Sequence, residues 1–193
     1  MRPESASVVV ALATIAASLN KSFETSRLHL QPLMHTHADA AFALLQDDRL
    51  YQWISMNKPG SVESLRADWQ RNEGRMSPDG QEAWLAWFVT SKADGKPIGC
   101  LDACIDANHI ATNVGYYLFA DAWGRGYASE AVSALADALI AQGVIKLVAT
   151  VTVGNAASAR VLQKAGFHFT RIIADNDTLN GVLVDDEEFV RVP

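Results

Sequence analysis

Cysteine is scarce in this chain of 193 residues, which holds only Cys100 and Cys104. They stand four apart in a segment patterned as a strand, on one face but roughly 13 Å from each other, too far to bridge. A disulfide framework and a cysteine-zinc site are thereby excluded, and a reducing, cytoplasmic setting is the simple expectation. Basic residues are few and never clustered: 16 Lys and Arg stand against 22 Asp and Glu, for a formal charge of −6. Without a basic stripe, no nucleic-acid partner is expected. The acidic balance suits a cationic partner such as an amine better than a polyanion. The five histidines show no ligand spacing with acids or thiols, so no metal is expected. Long apolar runs are missing too. Val8 to Ala17 is too short to span a bilayer as a helix, and no membrane partner is expected. Small residues after it (Ala16-Ala17-Ser18) allow a secretory reading, but the flank Met1 to Ser5 pairs one Arg with one Glu and makes a poor positive region. A packed or loose N-terminal extension over residues 1–22 is the preferred reading.

What the chain does contain is one domain's worth of patterned segments, expected over residues 23–193. Thr25 to Pro32 alternates apolar and polar residues like a first strand. His37 to Leu50 and Glu63 to Arg71 follow with helical spacing, then a loop over Gly74 to Gly80. Ala83 to Thr90, Pro97 to Asp106 and Asn113 to Phe119 are strand-like, and Asp94-Gly95 marks a hairpin turn between the first two. Tyr127 to Gln142 has a helical apolar period ended by Gly143. Lys146 to Val153 is a β-branched run suited to a strand buried on both faces. Asn155 to Ala165 is again helical, and Phe167 to Ala174 and Leu183 to Val192 close the chain as strands. The order implies a mixed α/β (α+β) sheet with helices packed on it.

The segment Trp123-Gly-Arg-Gly-Tyr-Ala-Ser129 joins a strand to the longest helix. Its glycines admit backbone conformations closed to other residues, and the helix start offers unpaired N–H groups to a phosphate. Arg125 adds a charged contact for an anion. The competing readings are a plain helix-capping turn and half of a dinucleotide fingerprint. The second is weak, because Ser129 stands where the third Gly or Ala belongs and three antiparallel strands precede the loop.

Four stretches together resemble the GNAT superfamily of N-acetyltransferases, in its RimJ/RimL-type ribosomal-protein alanine acetyltransferase branch. They are Glu24-Thr-Ser-Arg-Leu-His-Leu-Gln-Pro-Leu33, Val114-Gly-Tyr-Tyr-Leu118, Trp123 to Ala131, and Asn155-Ala-Ala-Ser158 continuing to Lys164-Ala-Gly-Phe167. The resemblance implies a GNAT-like central, largely antiparallel twisted sheet flanked by helices on both sides. It implies acetyl-CoA as cosubstrate, with backbone groups of Tyr117 and Leu118 along the pantetheine arm. Gly124, Arg125, Gly126, Tyr127, Ala128 and Ser129 would cradle the pyrophosphate. Wider members of the family open that loop with Gln or Arg, where this chain has Trp123, as is usual in the branch. Asn155 and Ser158 have a plain reading as a helix cap. The resemblance gives them a second one: Asn155 on the pantetheine arm and Ser158 near the thiol. Many family members carry a Tyr seven residues after this Asn as the acid for the leaving thiolate. Here Leu162 stands there, which leaves Ser158 as the candidate acid.

The expected activity is transfer of acetyl from acetyl-CoA to a primary amine, on a protein N-terminus or a small molecule, by direct attack. A backbone N–H at Tyr117 would hold the oxyanion. The base that deprotonates the amine is unassigned, because Asn113 stands where related sequences carry Glu. Glu82, Asp102 and His109 are the candidates, each also readable as an ordinary polar residue, and a water chain to bulk solvent is an equal alternative. Glu130 reads as structural, in the first turn of a helix. Trp53, Trp84 and Trp87 are candidates for an acceptor pocket, or core aromatics. The alternative function is an acetyl-CoA-binding module without catalysis, motivated by Leu162 and Asn113. The final strands offer an edge to a second copy, so a homodimer is open.

Overall fold

A computed structural model describes residues 12–193. The first part of the Val8–Ala17 run, and any secretory reading of it, lies outside those residues. Residues 12–19 form a helix (α1) whose Leu12, Ile15, Ala16 and Leu19 are buried in the main core. Their spacing of three, one and three residues makes a single apolar stripe.

Eight strands form one sheet in the order β1-β2-β3-β4-β5-β6-β8-β7. They are β1 (Phe23–Glu24), β2 (Leu28–Pro32), β3 (Glu82–Ser91), β4 (Pro97–Asp106), β5 (Ile110–Leu118), β6 (Lys146–Thr152), β7 (His168–Leu179) and β8 (Val182–Arg191). Every neighbouring pair is antiparallel except β5 with β6. That parallel pair meets at only two rungs, Ile110 with Lys146 and Ala111 with Leu147, after which the strands part.

Helices cover both faces. α4 (Tyr127–Ala141) and α5 (Ala156–Lys164) pack through Ala131, Val132, Leu135, Leu139 and Leu162 on one face, against Leu101, Ala103, Ala149 and Val151. On the other face α2 (Ala38–Phe42) and α3 (Val62–Arg71) bury Ala38, Ala41, Leu65 and Trp69 against Phe88, Cys100 and Phe119. Adjacent strand residues such as Trp87 and Phe88 thus serve opposite cores.

Three segments differ from the sequence pattern. The helix expected over His37 to Leu50 is broken into α2 and short 3₁₀ turns. Asp47 is extended at φ −74°, ψ 114° and its carboxylate accepts from the Arg49 N–H at 3.0 Å, so a new turn starts there. The first strand is a small hairpin, with Thr25 N–H bonded to Leu28 C=O at 3.0 Å between β1 and β2. The last two strands run on to Asn180-Gly181, which turn the chain with φ of 52° and 81°. Two residues at positive φ are what a tight hairpin turn of this kind requires.

Candidate active site

A cleft of about 820 Å³ opens where β5 and β6 part, between the start of α4, α5 and the segment from Arg49 to Met56. It is a consequence of the sheet: past Ala111 and Leu147 the facing backbone edges have no partner strand.

One wall is the glycine segment. Gly124 and Gly126 hold φ of 73° and 77°, the left-handed region, and Gly126 caps α4 with no side-chain bond. The first bond of the helix runs from Glu130 N–H to Gly126 C=O at 3.2 Å. The N–H groups of Tyr127, Ala128 and Ser129 therefore precede the helical ladder and are open to an anion. Trp123 fixes the segment to the sheet through its indole N–H, which donates to Leu118 C=O at 2.7 Å. Arg125 stacks over Tyr127 at 5.1 Å. Glu130 is a tether: its carboxylate accepts from Thr25 Oγ (2.5 Å), Ser26 Oγ (2.9 Å) and the Arg27 N–H (2.9 Å), and pairs with the Arg27 guanidinium at 2.6 Å. Partial burial pushes Glu130 upward, but bonds from Thr25, Arg27 and Ser26 outweigh it and hold the group at about 2.

The register of β5 decides which backbone groups face the gap. Phe119 N–H donates to Ile98 C=O at 2.9 Å, directly ahead of the pairs Leu118–Gly99 and Tyr117–Cys100. Bonded and non-bonded pairs alternate in an antiparallel ladder, so Tyr117 turns its N–H and C=O toward β4. A Cβ placed on Gly99 would lie 2.1 Å from the Tyr117 carbonyl oxygen, in keeping with that direction. Tyr116 and Leu118 consequently face the gap. Of the two residues expected along the arm, Leu118 is so directed and the Tyr117 backbone is not. The Tyr117 ring packs half-buried on the α2–α3 face, 6.0 Å from the Phe119 ring centroid, and desolvation raises its phenol well above the usual value.

Across the gap, Asn155 caps α5, its side-chain oxygen accepting from Ser158 N–H at 3.1 Å. Ser158 Oγ lies 2.6 Å from the Tyr116 hydroxyl, which also donates to Ser158 C=O at 3.1 Å. Burial raises the Tyr116 phenol to about 12, against a small opposing effect from Ser158. The pattern alone did not single out Tyr116. The only signal was its place beside Tyr117, since neighbours in a strand face opposite ways. Leu162 is fully buried in the core behind.

Of the three base candidates, only Asp102 lines the cleft. It lies opposite Gly115, where a Cβ would come within 2.5 Å of Asp102 Oδ1, so this glycine makes room for the carboxylate. Asn113 Nδ2 donates to Asp102 Oδ2 at 2.8 Å. Burial pushes Asp102 up to about 6, with the Asn113 bond working the other way. Glu82 instead holds the Trp84 indole at 2.9 Å at the far end of β3, and His109 sits in the β4–β5 turn at φ 59°. Of the three tryptophans, Trp53 lines the cleft, Trp87 is core, and Trp84 is remote. The cysteines are free, and burial drives Cys100 to about 12 and Cys104 to about 11.

Comparison with known proteins adds four findings. Residues 27–168 match the model of the acetyltransferase (GNAT) domain. The chain is 25% identical over 171 residues to an uncharacterized N-acetyltransferase, YoaA of Bacillus subtilis, covering 84% of this chain and 91% of that protein. In structure it is similar to RimL, a ribosomal L7/L12 alpha-N-protein acetyltransferase solved with coenzyme A, at TM-score 0.79 and 22% identity over 89% of this chain and 98% of that one. It is also similar to the microcin C7 self-immunity acetyltransferase MccE, solved with acetyl-CoA and AMP. There the TM-score is 0.73 at 22% identity, over 88% and 94% of the two chains.

Proposed function

The chain belongs to the acetyltransferase (GNAT) domain family and is an acetyl-CoA-dependent acyltransferase, and from that premise we propose that it acetylates a primary amine by direct attack. The observation that carries this reading is the cleft itself. Its unpaired β5 edge and anion-ready helix start stand at one gap, and a half-buried carboxylate lines the same space.

The residues present suit the cosubstrate. The N–H groups of Tyr127, Ala128 and Ser129, with Gly124, Arg125 and Gly126, would hold its pyrophosphate. The backbone of Tyr116 and Leu118 would pair with its pantetheine arm as a strand edge pairs with a strand. Asn155 is partly spent on its cap, and its amide N–H₂ is the group left for the arm. Acetyl-CoA supplies an activated acetyl group; the rest falls to the protein. Asp102 takes the proton that the attacking amine sheds, since a group near 6 is ionised at neutral pH. One N–H at the open edge, that of Tyr116 rather than Tyr117, steadies the carbonyl oxygen as it becomes negative, and the Leu118 N–H is left for the arm. The carbon–sulfur bond breaks, and the thiolate receives a proton from Ser158, relayed from the Tyr116 hydroxyl. A phenol held at about 12 stays protonated at neutral pH and so has a proton to give as the thiolate leaves, and the phenolate, the stronger base, takes one back from solvent. Leu162 and Asn113 were the reasons to consider an inert binding module. Tyr116 and Asp102 offer the two functions those positions lack.

Calorimetric titration of acetyl-CoA into the wild type and a Gly126→Glu variant tests the reading. Glu at φ 77° is strained by roughly 1 kcal/mol and sets negative charge beside the open N–H groups. Micromolar binding by the wild type, lost in a folded variant, is the expected result. No heat with the wild type would end the acetyltransferase proposal.

A further inference from the structure

The cleft is divided by charge, and the division follows the two faces of the sheet. Arg160 and Lys164 line it from α5, on the side of the helix start. Asp102, Asp177 and Asp186 line it too, and strand alternation sets all three on the opposite face. Leu101 and Ala103 enter the α4–α5 core, so Asp102 between them points away from it. Phe189 enters the same core, so Asp186, an odd number of residues away, does not. Asp177 pairs with Val184, which shares the parity of Asp186.

Asp186 is the unusual member. It is 3% exposed, and Asn176 Nδ2 donates to its Oδ2 at 2.8 Å. Its Oδ1 is buried with no hydrogen-bond partner among the described residues. An unmet carboxylate oxygen is costly to bury and is uncommon in a finished fold. Glu188, on the same face, is finished in this sense: Arg171 and Thr170 satisfy it. None of the ion pairs among the described residues includes Asp102, Asp177 or Asp186. Among the described residues Asp177 accepts only from the N–H of Thr178, at 2.6 Å. Arg49, the cation at the rim, is held by Asp47 at 3.0 Å through Nε. Asn180 at the β7–β8 tip donates to Tyr51 C=O at 3.4 Å, which brings that hairpin against the segment carrying Trp53.

We infer that Asp177 and Asp186 form a subsite for a second positive charge on the acceptor, so that the substrate is an elongated diamine or short polyamine. This rests on the amine acetyltransferase reading above. Asp102 serves the nitrogen that is acetylated. Asp186 supplies the missing half of a charge-assisted bond to the far ammonium, which answers its unmet oxygen. β4 and β8 are three strand spacings apart, roughly 14 Å at about 4.8 Å each, and more where β5 and β6 part. A compact monoamine cannot reach both ends. Trp53 offers a face for the carbon chain between them, or for the cation itself.

The test is steady-state acetylation of α,ω-diaminoalkanes of increasing length, each beside the n-alkylamine of equal length, followed by CoA release. The wild type is expected to favour the diamine by about tenfold or more in kcat/KM at a long optimum chain, with the ratio falling toward one in D186N and in D177N. Equal values across the series, or a ratio untouched by both substitutions, would overturn the subsite. D177N carries the test if melting curves reveal D186N unfolded. A wild type that binds acetyl-CoA and acetylates monoamines without preference, or acetylates no amine, refutes the subsite and leaves cosubstrate binding intact. Failure to bind acetyl-CoA refutes both readings.

Discussion

Asp102 exists as a cleft carboxylate because Gly115 has no Cβ; a methyl there would meet Oδ1 at 2.5 Å. The sequence named Asp102 only as one of three acids or bases near strand ends. Its place in the cleft separates it from Glu82 and His109, and that place is a property of the folded sheet that no local pattern carries. The same holds for Tyr116 and Tyr117: period two says that they face opposite ways, not which way leads to Ser158. Asp102 raised to about 6 predicts an acidic limb near pH 6 in kcat/KM. D102N is expected to lose that limb and about a hundredfold of the rate at pH 8. The stability effect has its own sign. A carboxyl whose folded value is raised contributes stability below its unfolded value of about 4, and that contribution is lost as pH rises through 6. D102N should therefore match the wild type in melting temperature near pH 4 and exceed it near pH 8. A lower melting temperature at pH 8 would count against a carboxyl held above its usual value by desolvation.

At the level of elements, β5 is a strand with one occupied edge and one open edge. Tyr117 is turned toward β4, while Tyr116 and Leu118 look into the gap. Amide exchange followed by NMR should register the difference. On adding acetyl-CoA, the amides of Tyr116 and Leu118 are expected to gain protection while that of Tyr117, already bonded, changes little. The reverse pattern would mean that the register argument is mistaken. Most element boundaries were legible because apolar period and glycine stops agree, as for Tyr127–Ala141 and Pro97–Asp106. Two were not. Asp47 interrupts a run of helical apolar spacing by bonding its own backbone neighbourhood, a local competition that periodicity ignores. The strand through Asp175-Asn-Asp177 looks like a turn, yet continues with a register shift to Asn180-Gly181. That Asn-Gly pair was the stronger turn signal.

In the whole molecule, the two-rung contact between β5 and β6 opens one cleft to both faces of the sheet. The sheet and its two helical layers were readable from the order of segments. The cleft was not, because it arises from strands ceasing to pair. Its consequence belongs to the order of events in turnover. The anion-ready wall and the acidic wall lie on opposite faces, so on the amine reading the two substrates are expected to enter by different doors and to be present together. Among the described residues no cysteine lines the cleft, and burial keeps Cys100 and Cys104 protonated well above neutral pH, so no thiolate is at hand to carry an acetyl group between their visits. Initial-velocity lines at varied acetyl-CoA and amine are accordingly expected to intersect, and parallel lines would require a covalent carrier the cleft does not offer. The enzyme would keep no record of its first substrate: release of CoA would wait on arrival of the amine, and cosubstrate consumption would report acceptor supply directly.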